Sequence, residues 1–103
     1  MQNFGEIEML WNEWKTLPFP SEVVGKEVLG ICITSLDTFT AGCIDYFIEN
    51  NGSINDQRRS ILKSCHKDIE NIIQNLDSES KAYFEKLFIL SDKVLDFIEK
   101  KLK

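Results

Sequence analysis

The stretch at 29–50, LGICITSLDTFTAGCIDYFIEN, decides the fold. Leu29, Cys32, Ile33, Leu36, Phe39, Thr40, Cys43, Ile44 and Phe47 recur at intervals of three and four. They fall within one wide arc of a helical wheel, which predicts a helix over about Gly30 to Asn50 that touches more than one neighbour. The rival reading is a strand through Val28–Thr34, where β-branched residues cluster. Helix is preferred because the period continues for several turns and no second strong strand candidate exists to pair. Asn50-Asn51-Gly52 closes the segment with residues that tolerate left-handed geometry. Asn51-Gly52-Ser53 matches a glycosylation sequon and is read as a turn.

Working outward, Phe4, Ile7, Trp11, Trp14 and Leu17 line one face of a first helix, about Gly5 to Lys15. Asn3 followed by Glu6 has the spacing of a capping box. Pro18 and Pro20 stop that helix, since each removes a backbone donor and biases the preceding residue toward extended geometry. Residues 17–30 read as an ordered but irregular connection, apolar enough to wrap the core, with Lys26-Glu27-Val28-Leu29 between Gly25 and Gly30 as a helical turn or a short extended piece. A third helix spans about Asp56 to Leu76, capped by Ser53 or Asn55, with Ile61, Leu62, Cys65, Ile69, Ile72, Ile73 and Leu76 as its stripe. A fourth spans about Ser78 to Lys101, with Asp77 as N-cap and Phe84, Leu87, Leu90, Val94, Leu95 and Ile98 inside. The link between these two is so short that they must run antiparallel. The expected fold is all-α: an irregular four-helix bundle over residues 1–103, one domain, with a Pro-containing strap between helices 1 and 2.

The 103 residues allow a single core, and 43% hydrophobic residues with 11% aromatics are enough to fill it. Cys32, Cys43 and Cys65 cannot all pair within one chain; each sits among apolar neighbours and is expected to be a buried free thiol. With no Lys/Arg-led apolar leader and no run of ~20 apolar residues, a cytoplasmic setting is expected.

Charge is segregated. The first fifty-five residues carry eight acids against two lysines, and the rest carry nine acids against ten bases, so the net charge of -5 belongs to the N-terminal half. A pI near 4.8 argues against general nucleic-acid binding and against an anionic membrane. The basic residues Arg58, Arg59, Lys63 and Lys67 are interleaved with acids and have no aromatic platform, which makes a poor nucleic-acid site.

The residues that carry chemistry are few. His66 is the single histidine; its neighbour Cys65 points about 100° away on a helix, so the two do not form a nucleophile–base pair. His66 is expected on the wet side of the third helix near Lys63 and Lys67. Three isolated cysteines do not supply zinc-ligand spacing, and no Glu-x-x-His couple exists for a di-iron centre. No phosphate loop is present. The chain is therefore expected to be no enzyme, with no cofactor and no metal. Asp37, at the border of the apolar arc, either bonds the strap's backbone or meets a partner. Of Trp11 and Trp14, at least one belongs to the core, and the other is open to an interface. Ala41 and Gly42, off the main arc, allow close approach of the strap or of a partner.

The run Leu17-Pro18-Phe19-Pro20, then Gly25-Lys26-Glu27, Gly30, Leu36-Asp37, Ala41-Gly42-Cys43-Ile44 and Tyr83-Phe84-Glu85, resembles a loose set of short all-helical bacterial proteins. In general character the chain also resembles the acidic immunity proteins that neutralise nuclease toxins in interbacterial competition. That resemblance implies a basic protein partner, a nuclease toxin domain. Physics supports the pairing, because a nuclease's basic surface attracts an acidic inhibitor and speeds association. Glu6, Glu8, Glu13, Asp45 and Glu49 are the expected partner-binding residues. The alternative is a structural or regulatory module that self-associates through the first helix or the Ala41-Gly42 face; the oligomeric state is left open.

Overall fold

The computed structural model describes residues 3–102, with Leu102 as backbone only. The described chain is mostly helical, with four α-helices and one small antiparallel sheet. Helix α1 spans Phe4–Trp14 and begins where Asn3 Oδ1 accepts the Glu6 N–H at 2.7 Å. That bond satisfies one of the orphan donors every helix start leaves. Ile7, Trp11 and Trp14 are buried along it, so both tryptophans belong to the core.

The connection contains more regular structure than its irregular reading implies. After Pro18 and Pro20, a 3-10 turn covers Ser21–Val23, and the Gly25 N–H donates to Thr34 Oγ1 at 3.3 Å. Strand β1 (Glu27–Val28) then pairs antiparallel with β2 (Ile31–Cys32), with Val28 opposite Ile31. Leu29 (φ 53°) and Gly30 (φ 78°) form the two-residue turn, both in the left-handed region that such tight hairpins require. The strand alternative through Val28–Thr34 therefore holds in part, because Ile31-Cys32 has a partner folded back locally. Leu29 consequently sits at the hairpin tip, 67% exposed, and not in the core.

Helix α2 runs Ile33–Glu49, starting later than Gly30 because the hairpin uses the preceding residues. Ile33, Leu36, Thr40, Cys43, Ile44 and Phe47 are its buried side. It stops with a left-handed Asn51, after which the Gly52 N–H returns to the Phe47 carbonyl at 2.9 Å and that of Asn51 to Ile48 at 3.2 Å. Gly52 is needed twice over. Its φ is 92°, and a Cβ there would meet Phe97 at 3.0 Å.

Helix α3 (Asp56–Ile72) is capped by Asn55, whose Oδ1 accepts the Arg58 N–H at 2.8 Å. It tightens into a 3-10 turn at Ile73–Asn75, earlier than the expected end at Leu76. Helix α4 (Ser78–Leu102) opens with Asp77 Oδ1 accepting the Ser80 N–H at 2.8 Å, and Lys100 and Lys101 suit its negative C-terminal end. α2 packs on α3, α3 on α4, and α1 on α4. Phe4 near Phe97, Glu6 at Lys93 and Trp14 against Tyr83 show that α1 and α4 run antiparallel. Phe19 from the connection lies edge-on to Tyr83 and Phe84, joining the core by that route. Among the described residues no helix is long and apolar enough to cross a membrane.

Candidate functional site

The outward face of α2 holds the most informative surface. Ser35, Thr38, Phe39, Gly42, Asp45 and Glu49 are all exposed and fall on one side of the helix, opposite Leu36, Thr40 and Phe47. Phe39, expected in the core, is 61% exposed, and Ile61 facing it on α3 is 39% exposed. Both lie at the edge of their helix's apolar arc, where α2 and α3 leave a trough instead of closing over it. Two depressions of about 310 and 320 Å³ share Phe39 and Ile61 as their common ridge. Ser35 and Ser64 line one, and Gly42 lines the other. Gly42 is helical with open space around it, because an added Cβ would meet nothing within 4 Å. Nothing among the described residues requires a glycine there.

The five expected binding carboxylates do not gather on one surface. Asp45 and Glu49 continue the outward face of α2 beyond Gly42. Glu8 and Glu13 are exposed on α1, which packs against α4. Glu6 is half-buried and bonded to Lys93 Nζ at 2.9 Å. Its charge is matched inside the molecule.

The remaining polar candidates have structural partners. Asp37 accepts a 2.7 Å hydrogen bond from the Tyr83 hydroxyl of α4, not from the connection's backbone. Burial raises the Asp37 carboxyl above its usual value, and the Tyr83 bond only partly opposes this. Burial and the facing carboxylate push the Tyr83 phenol up in turn. His66 departs from the expected wet position: it stacks on Phe88 at 4.2 Å, and its Nδ1 lies 2.7 Å from Ser91 Oγ. The α3–α4 seam reaches further round α3 than the apolar stripe indicates, and the flat imidazole fills it. Burial holds the imidazole below its usual pKa, although Asp92 at 3.6 Å pulls the other way. Asp92 is largely exposed and its field is screened by water.

The basic residues of α3 are mostly engaged too. The Arg58 guanidinium lies 4.0 Å over the Tyr46 ring, Arg59 reaches Asp56 at 3.7 Å, and Lys63 reaches Glu99 at 3.6 Å. Of the cysteines, Cys43 and Cys65 are buried, and burial raises both thiols. Cys32 is exposed, contrary to expectation, because it caps α2 from the end of the hairpin. It makes no side-chain capping bond, yet the Ser35 hydroxyl, and then the Ser35 N–H, favour its thiolate and lower its pKa. No group of three or more His, Cys, Asp or Glu side chains among the described residues is placed to hold a metal ion.

No protein-family model, no curated protein and no solved structure matches this chain.

Proposed function

We propose that this chain is a non-catalytic, cytoplasmic binding domain, folded as an irregular four-helix bundle with a Pro-containing strap, that captures a basic protein through the outward face of α2. The observation that carries the reading is the order of chemistry along that face: apolar Phe39 with Ile61 beside it, then bare Gly42, then Asp45 and Glu49. Productive interfaces combine an apolar anchor with a charged rim that selects the partner. Phe39 is 61% exposed, so burying the rest of it on binding is worth about 1–2 kcal/mol, the corresponding share of a full side-chain burial. A glycine inside a helix costs about 0.8–1 kcal/mol relative to alanine, and with no internal use for the gap a partner's close approach accounts for it.

The basic partner we propose is a nuclease toxin domain, whose substrate-binding surface has the sign that Asp45 and Glu49 attract. The test is to express the chain with the toxin domain encoded beside its gene, and to measure complex formation and rescue of growth. Wild type is expected to bind and rescue, and Phe39→Asp to lose both while keeping its fold. No complex with any neighbouring gene product overturns the proposal.

A further inference from the structure

The seam between α1 and α4 carries a second surface, built from different residues. At one end of it, Glu6 of α1 meets Lys93 of α4 at 2.9 Å. Seven residues further along α1 stands Glu13, and seven residues back along antiparallel α4 stands Lys86. They are the next acid–base couple in the same register, since a seven-residue step is close to two helical turns. This second couple does not close. Neither side chain has an ion-pair partner among the described residues, and between them a groove of about 230 Å³ opens over Leu10, Trp14, Leu17 and Leu90. Ile89, which lines the groove, is 51% exposed, and Met9, one turn before Glu13 on α1, is 56% exposed.

We infer that this groove is a self-association surface, occupied by the same face of a second copy of the chain related by a twofold axis. A twofold interface must be its own complement, because each patch meets its duplicate. A patch with one acid on one wall and one base on the other satisfies that condition. Glu13 of each copy then faces Lys86 of the other, and the apolar floors and Ile89 side chains are buried together. A partner of single charge sign would leave either Glu13 or Lys86 opposed or unpaired at the rim. The chain as a whole is at -5 and repels itself, so two copies meet where charge is locally balanced. The outward face of α2 stays free for its own partner. The inference is independent of the toxin reading, because it concerns the isolated chain.

The experiment is analytical ultracentrifugation of the purified chain from micromolar to millimolar concentration. Wild type is expected to pass reversibly from monomer to dimer. Glu13→Lys and Lys86→Glu should each weaken the dimer at least tenfold, as every interface then holds two like-charge couples. An equimolar mixture of those two variants should recover the dimer. One variant carries a base on both walls of its groove and the other an acid on both, so each couple across the mixed interface is again of opposite sign. That recovery also shows that both variants fold. Ile89→Asp should abolish association while leaving the melting curve in place, its side chain being half in water. A monomer throughout the range, or a dimer indifferent to all three substitutions, overturns the inference.

Discussion

Gly42→Ala should make the isolated protein more stable and the complex weaker. Gly42 lies mid-way along α2 with ordinary helical geometry, so the substitution removes the helical penalty of glycine, about 0.8–1 kcal/mol. No clash offsets the gain, because the new methyl group has no neighbour within 4 Å. For a domain near 100 residues, each kcal/mol shifts the melting temperature by about 4–8 °C. Circular-dichroism melts of the free variant should therefore rise by roughly 3–8 °C. In the proposed complex the methyl group would enter the gap assigned to a partner, and overpacking of that kind costs about 1–3 kcal/mol. Titration calorimetry against the proposed toxin domain should show affinity reduced by about fivefold or more. Gly42→Leu should bind more weakly again while remaining folded. A variant that melts higher and binds as tightly as wild type refutes the close-approach argument. One that melts lower refutes the account of α2 itself.

Asp45→Lys and Glu49→Lys should slow association with the basic partner and flatten its salt dependence, whereas Lys81→Glu at the start of α4 should change neither much; stopped-flow mixing across a salt series reads both. Thiol labelling of the native protein should be fast at one cysteine, Cys32, with Cys43 and Cys65 reacting only on unfolding. Asp37 binds its proton more tightly folded than unfolded, so its ionisation costs stability at neutral pH, and acidification through its raised pKa restores it. Asp37→Asn, which keeps an acceptor for Tyr83, should be at least as stable as wild type at neutral pH and lose that advantage in acid, as denaturant titrations at several pH values would show. His66 has the opposite sign: its folded pKa lies below the ordinary 6.5, so stability falls as pH drops through 6.5 toward the folded value. His66→Phe, which keeps the ring stack on Phe88, should flatten that loss.

Helix positions were legible because capping and periodicity are local. Asn3, Asn55 and Asp77 each accept the backbone N–H three residues on, as their spacing implies. What sequence alone misjudged depends on where neighbouring helices stop. Phe39 and Ile61 belong to apolar arcs by spacing, and only the width of the α2–α3 trough decides that they face water. Leu29 and Cys32 fit the apolar arc of α2 by spacing, because a helical period extends backward through residues that a two-residue turn diverts into a hairpin. The signal available was Gly30, whose left-handed φ suits a tight turn better than a helix start. His66 was misplaced for the converse reason: an imidazole can stack in a seam that a count of aliphatic residues leaves out.

The fate of the acids in the N-terminal half shows why net charge is a poor map of a binding surface. Glu6 is matched by Lys93 within the fold, and Glu13 stands in register with Lys86, the couple we assign to a second copy. Asp37 is held by Tyr83 between α2 and α4, away from the outward face. Of the residues expected to steer a basic partner, Asp45 and Glu49 remain together on one helix face, beside the exposed apolar ridge of Phe39 and Ile61. A steering charge works only when the captured molecule arrives over groups that can hold it, because rim charges set the association rate while buried apolar contacts set the lifetime. Charge reversal at Glu8 is therefore expected to change the association rate with the proposed toxin domain less than reversal at Glu49, although both sit in the acidic half. Equal effects at the two positions would mean that the partner reads the whole half of the chain and not the face of α2.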